Sequence, residues 1–229
     1  MTAVPAPIIR SRYACILLLV ALTVSLARAT PVQDDQSNRS LDDYDALLDS
    51  ILPRDLNGTA YAFALRLMPS FRLESQLVVS VRDDGKVRAE ISQVTGKSAW
   101  DALGDRLDSE RTFRLADLAK AIKVEKHAID VDLATAQRWQ DSLLDASRAS
   151  IDDLQRRARA SRRSRDEKIW VVADGTLGEL WYSQRGIDLH WGPFHVPDED
   201  EKPNPVVHGP VARWMTEMMG TARRRLPGQ

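Results

Sequence analysis

Cysteine is almost absent from this sequence, since Cys15 is the single one among 229 residues. Beyond that position the chain has no disulfides, thiol nucleophiles, redox pairs or thiolate metal sites. The rest of the chain must therefore be held together by a hydrophobic core. Hydrophobic residues make up 43% of the sequence, which is too many for a disordered chain.

The sequence also lacks the short motifs that mark common active sites and cofactor sites. It contains no G-x-S-x-G nucleophile turn, no H-E-x-x-H zinc motif, no G-x-G-x-x-G dinucleotide loop and no EF-hand loop. We therefore assign no catalytic residue, metal ligand or cofactor from the sequence. These absences favour a binding protein over an enzyme.

Long apolar runs are scarce, and the clearest one spans Cys15–Leu26. It has ~12 residues, fewer than the ~20 that cross a bilayer as a helix. Two arginines precede the run and the small residues Ala27 and Ala29 follow it, which is the layout of a secretory signal peptide over residues 1–29. We expect cleavage after Ala29 and export to the periplasm or the medium. An uncleaved membrane anchor is the alternative.

Removal of this leader would change the charge of the protein. Residues 1–29 carry three arginines and no acidic residue, so the formal net charge falls from −1 to −4. No later apolar run approaches membrane-spanning length, and we therefore expect no transmembrane segment after cleavage.

The sequence that follows changes from helical to strand periodicity. Residues 30–40 are polar and predict a flexible lead, and apolar residues three or four apart predict a helix over 41–52. Alternation over residues 59–94, with a tight turn at 83–85, predicts an antiparallel meander with one face open to solvent. The polar residues on that open face would be Arg82, Lys86, Arg88, Glu90 and Ser92.

Capping residues predict where the next helices begin. Ser98, three residues before Asp101, resembles a capping box and predicts a short helix. Asp132 predicts the start of a long helix that runs to about Ser161. Between the two, Ile122–Asp130 alternates as a strand does.

The last third of the chain predicts strands, a loop and a helix, in that order. Alternation over residues 168–191 predicts a second antiparallel meander, and the proline-rich, acidic stretch 193–210 predicts an exposed loop. Apolar residues at helical spacing from Val211 predict a final helix that ends at Gly220. The whole pattern predicts one α+β domain over residues 41–229.

One group of candidate site residues lies on the second meander. If the apolar residues of its last strand face the core, Asp188 and His190 share the outer face, and Glu179 and Trp181 on the preceding strand lie across from them. A carboxylate beside an imidazole can exchange protons or bind a metal, and a tryptophan can supply contact area. His195 lies beyond a proline, and the spacing matches no zinc motif.

A second group of candidate residues is a set of six arginines near the end of the long predicted helix. At 100° per residue they spread around the whole helix and do not form one strip. In an exported protein they would favour an anionic lipid or polysaccharide surface over nucleic acid. The six are Arg156, Arg157, Arg159, Arg162, Arg163 and Arg165.

These observations predict a non-enzymatic envelope module that binds a protein or small-molecule partner of unknown identity. Its contact surface would be the outer face of the second meander. One alternative is a hydrolase that uses Glu179, Asp188 and His190. Another is an anionic-surface binder that uses the arginine group.

Overall fold

A computed structural model describes most of the chain after the predicted leader. The described residues are 35–56, 59–69, 72–109, 113–161, 175–185, 187–197 and 208–226, with the side chains of 35–40 and 157–161 left out. The chain divides into two compact units, Met1–Asp42 and Asp43–Gln229. Of the first unit, only the helical residues 35–42 are described. The predicted signal peptide and the predicted strand residues 168–173 lie outside the described residues.

The described residues form five helices and six strands. The helices are α1 (Asp35–Ile51), α2 (Ala99–Ser109), α3 (Leu115–Ala121), α4 (Leu133–Ser161) and α5 (Pro210–Arg223). The strands are β1 (Tyr61–Pro69), β2 (Ser75–Val81), β3 (Val87–Thr95), β4 (Lys123–Ala128), β5 (Thr176–Gln184) and β6 (Ile187–Val196). No helix in this part of the chain is long and apolar enough to cross a membrane.

All six strands belong to one antiparallel sheet in the order β4-β3-β2-β1-β5-β6. The two meanders join where β1 pairs with β5, with Phe63 opposite Tyr182 and Arg66 opposite Glu179. The α+β class predicted from the sequence is confirmed. The stretch predicted as a strand by alternation between α3 and α4 is β4, an edge strand.

One face of the sheet packs against α4 and α5. The alternate residues Phe63, Leu65 and Leu77 point to this face and are fully buried. From the helices, Leu143 and Met215 are fully buried in the same cluster. Strand alternation and helical spacing thus meet in one core, because each places its apolar residues on one side.

The opposite face is partly covered by α1, α2 and α3, and the prediction of an open face there is wrong in part. Leu47 and Leu48 of α1 pack with Met68 and Val94 of the sheet in a second apolar cluster. Arg82, Lys86 and Arg88 are exposed as expected, but Glu90 is only partly exposed and Ser92 is buried. The meander alone could not reveal this, since the covering helices come from other parts of the sequence.

Side-chain caps hold α2 and α4 at the predicted positions. Ser98 Oγ accepts a hydrogen bond from the Asp101 backbone N–H at 3.0 Å, and Asp132 Oδ1 accepts one from the Thr135 N–H at 2.6 Å. The buried Glu74 carboxylate adds a cap to α2, since it accepts bonds from two backbone N–H groups of the first turn. The Tyr44 hydroxyl also donates to Glu74, at 2.9 Å, and thereby ties α1 to α2.

Three boundaries differ from the sequence prediction. Helix α1 begins at Asp35, within the predicted flexible lead, because polar residues without a breaker can extend a helix once it is nucleated. Strand β6 continues to Val196, inside the predicted loop 193–210, and α5 ends at Arg223, past the predicted end at Gly220. The apolar residues of α4 pack only in its first half, since Ile151 and Leu154 are exposed.

Candidate functional site

A bulge in β6 shapes the edge of the sheet next to Glu179. Gly178 pairs with Phe194 and Leu180 with Trp191, so two residues of β6 oppose the single Glu179 of β5. One of the two is Gly192, whose φ is +117°. A Cβ atom there would lie 2.6 Å from the Gly178 carbonyl oxygen, so the close approach of the strands needs glycine.

Three of the four predicted site residues converge on the face that α1 partly covers. Trp181 lies opposite His190 in the β5–β6 register, and their rings stack with centroids 4.9 Å apart and planes 3° apart. His190 Nε2 lies 3.7 Å from Glu179 Oε1. The Glu179 side chain is 10% exposed and the His190 side chain 47%.

Asp188 and His195 lie on either side of this group along β6. Asp188 is exposed and lies opposite Ser183, two residue pairs further along the strands than Trp181 and His190. His195 lies beyond the bulge, opposite Leu177, towards the other end of β6. The group is thus centred on Trp181, with Glu179 two residues earlier on β5 and His190 opposite on β6.

Arg66 is the buried cation of the group. It lies on β1 opposite Glu179, with 1% of its side chain exposed. Its guanidinium donates to Asp49 Oδ1 at 2.9 Å, to the Leu52 carbonyl at 3.0 Å and to Gln76 Oε1 at 3.3 Å. Its Nη1 lies 3.7 Å from Glu179 Oε2. Burial lowers the pKa of Arg66 and the Asp49 carboxylate opposes that shift, so the guanidinium stays charged.

Arg54 completes the group from the segment after α1. Its Cζ lies 4.0 Å from the centroid of the Trp181 ring, and its Nη2 lies 2.6 Å from Asp49 Oδ2. Asp49 therefore holds both Arg54 and Arg66, and the Cζ of Arg66 is itself 5.0 Å from the same ring. These distances are in the range of cation–π attraction.

The strand order indicates that the partners of Trp181 come from both sides of β5. Arg66 lies on β1 and His190 on β6, and these strands flank β5 on opposite sides. Arg54 shares Asp49 with Arg66 and so reaches the ring from the β1 side. The strand positions therefore favour a guanidinium on one side of the indole and an imidazole on the other. We call Arg54, Trp181 and His190 the aromatic–cation ladder.

Sequence reasoning missed both arginines of this site. Arg66 carried a signal, since it is the one charged residue in the alternating run of β1, whose neighbours are otherwise apolar. A charge in a strand that is buried on both faces needs a partner, and the partner marks a neighbouring element. Arg54 carried no such signal, because its position follows from how the chain leaves α1.

The chemistry that the site can support is recognition through donors and an aromatic ring. The partly exposed groups are the Arg54 guanidinium, the His190 imidazole and the Trp181 indole, whereas Glu179 is enclosed between Arg66 and His190. Within the described ranges, no three or more His, Cys, Asp and Glu side chains are grouped so that they could hold a metal ion.

The predicted arginine group falls largely outside the described side chains. Arg156 is exposed and its Nη2 lies 3.4 Å from Asp153 Oδ1, one helical turn earlier. Arg157 and Arg159 are described only as helical backbone of α4, and Arg162, Arg163 and Arg165 lie outside the described residues.

Comparison of the chain with known proteins finds no relative. No family model matches the chain, and no curated protein or solved structure matches it either.

Proposed function

We propose that the protein is an exported, non-enzymatic binding module whose contact surface is the aromatic–cation ladder. The observation that carries the proposal is the contact of the Trp181 ring with both Arg54 and His190, next to a buried network of ion pairs. Tryptophan and arginine are the residue types that dominate binding energies at protein interfaces.

The ladder is already ordered before a partner arrives. Asp49 fixes Arg54, and the paired strands fix Trp181 and His190. Ordering mobile side chains at an interface costs about 0.5–1.5 kcal/mol each, so a prearranged surface binds more tightly than a mobile one of equal area. The exposed donors of Arg54 and His190 suit a partner rich in carboxylate or carbonyl oxygens.

The same geometry argues against hydrolysis as the main role. A hydrolase would need Glu179 within reach of a substrate, but this carboxylate is enclosed and lies between Arg66 and His190. Asp188 is open to solvent, two residue pairs along the strands from Trp181 and His190. Glu179 therefore serves to hold the ladder, and Asp188 lies at its margin.

The binding proposal can be tested by capture of partners from envelope extract with four forms of the protein. The wild type should retain a set of partners that Trp181→Leu and Arg54→Ala lose. Trp100→Leu is the matched control, because Trp100 is also a surface tryptophan, 47% exposed, but lies on α2 away from the ladder. Equal losses with Trp100→Leu and Trp181→Leu, or no partner that depends on the ladder, would show the proposal to be wrong.

Export has a separate test. The N-terminus of the protein recovered from the envelope or the medium should be Thr30, as cleavage after Ala29 requires. A chain that keeps its first 29 residues and remains with the membrane would instead support the uncleaved anchor.

A further inference from the structure

Strand β6 is an edge of the sheet, and no strand among the described residues pairs with its outer side. Its first five residues, Ile187–Trp191, alternate between an apolar side and a polar side, and we call them the β6 run. Ile187, Leu189 and Trp191 point to the face that α4 and α5 cover, since Leu189 lies opposite the buried Tyr182. The backbone groups of such an edge can pair with a strand of another chain.

The other edge of the sheet, β4, has the composition that prevents edge pairing. Four of its six residues are Lys, Glu or His, and five of the six are exposed. Charged side chains, lysine above all, keep a strand edge from pairing with another chain. In the β6 run, by contrast, Asp188 is the one residue charged at neutral pH. Ile187 is 58% exposed, and Leu189 and Trp191 are only partly buried, so the apolar side of this edge is incompletely covered in a single chain.

The β6 run is complementary to itself in one antiparallel register. Pro193 has no N–H to donate and follows the bulge, so regular pairing is restricted to the five residues of the run. If two runs pair over their full length, a two-fold axis passes through Leu189, and Asp188 lies opposite His190 of the second copy. Ile187 then lies opposite the second Trp191. Moving the axis by one residue either way would place Asp188 opposite Asp188 or His190 opposite His190, and cross-strand pairs of like charge are unfavourable.

We propose that the protein forms a two-fold symmetric dimer in which the β6 runs of two copies pair and join their six-stranded sheets. The apolar side chains of the two runs cover one another, and the Asp188 carboxylate approaches His190 of the second copy. The inference rests on the proposed function only in that contact, because His190 is the one residue of the run that belongs to the ladder. The paired run is short, so the dimer is weak and depends on protein concentration.

A cysteine at the two-fold axis tests the register. Opposite residues of paired antiparallel strands have Cβ atoms about 4.5–5.5 Å apart, close to the ~3.5–4.5 Å of a disulfide. In the full chain with Cys15→Ser, which removes its single native cysteine, Leu189→Cys should form a disulfide-linked dimer under mild oxidation. Leu177→Cys is the matched control and should stay monomeric, because Leu177 lies on β5, which is paired on both sides. No cross-link at position 189, or equal cross-linking at both positions, would overturn the proposal.

Sedimentation equilibrium tests the association without a cysteine. The wild type should show a monomer–dimer equilibrium that Ile187→Asp weakens at least about tenfold, because the new carboxylate would face Trp191 of the second copy. Ile187 is 58% exposed, so this variant should keep its circular dichroism spectrum. Leu177→Asp is the control, since Leu177 is also exposed, at 41%, but is not at the edge. A wild type that is monomeric up to about 1 mM, or equal weakening by both variants, would refute the dimer.

Failure of the dimer can be told from failure of the proposed function, because Ile187→Asp leaves all three side chains of the ladder in place. A monomeric wild type that still captures partners through Trp181 and Arg54 would overturn the dimer alone. A dimer whose chain captures no partner through the ladder would support the inference and overturn the binding proposal. A monomer that captures a foreign protein, with a loss in Ile187→Asp, would show a different occupant of the edge and would also overturn the dimer.

Discussion

Replacement of Arg66 by methionine should destabilise the protein by about 3 kcal/mol at neutral pH. Methionine fills most of the buried space of the arginine stem and removes its charge and all its donors. The substitution therefore tests whether Arg66 is held by its polar partners or only by its packing. The change leaves the Leu52 carbonyl and the Gln76 amide oxygen without this donor, and Glu179 without its nearby cation.

The magnitude follows from the burial of each partner. Asp49 is 48% exposed, so its loss of the ion pair adds less than about 1 kcal/mol. The two neutral acceptors add about 1 kcal/mol each, the lower end for buried groups left unpaired. A stranded buried charge costs about 3–5 kcal/mol, but the contact of Glu179 with Arg66 is long, at 3.7 Å, and His190 stays beside it, so its share lies well below that range.

The assay is urea denaturation followed by tryptophan fluorescence and circular dichroism. Arg88→Met is the matched control, because Arg88 is on the same face of the sheet but 66% exposed, and its loss should cost less than about 0.5 kcal/mol. Glu179→Gln removes the stranded charge, so adding it to Arg66→Met should recover about 1 kcal/mol. A cost for Arg66→Met below about 1 kcal/mol, or no such recovery, would refute the reasoning.

The class of fold could be predicted from the sequence because the spacing of apolar residues in each strand or helix marks the side that becomes buried. Alternation in β1, β2 and β3 placed Leu65, Leu77 and Ile91 on the core face, and all three are buried. The caps Ser98 and Asp132 are local signals that act within three residues. Because these signals are local, they could be recognised without knowledge of the tertiary structure.

The burial of the sheet face that α1, α2 and α3 partly cover could not be predicted, because it depends on where helices distant in sequence cross the sheet. Arg66 looked like a residue of an alternating strand, and only the position of α1 shows why it is buried and what holds it. The same holds for the site. Glu179, Trp181 and His190 share a face by strand alternation, and their convergence was predictable. Arg54 contacts Trp181 from the irregular segment after α1, which no strand or helix pattern reveals.

Two further predictions use pairs of like residues and the pH. The Tyr61 hydroxyl is buried without a hydrogen-bond partner among the described residues, and burial raises its pKa to about 12, so Tyr61→Phe should leave the free energy of unfolding unchanged or slightly higher. Tyr182→Phe should instead cost about 1–2 kcal/mol, because that hydroxyl accepts a hydrogen bond from Gln140 and donates one to Gln184. Equal costs of the two substitutions in urea denaturation would contradict this. Asp132→Ala should lower the Tm near neutral pH, since the backbone N–H that it caps holds the pKa of this carboxyl below its usual 3.8. A depressed folded pKa stabilises the protein above the pKa of the unfolded chain and ceases to do so as the pH falls through the folded value. The Tm difference from wild type should therefore shrink in strong acid, and a difference that stays constant down to about pH 2 would show that the carboxylate charge does not stabilise α4.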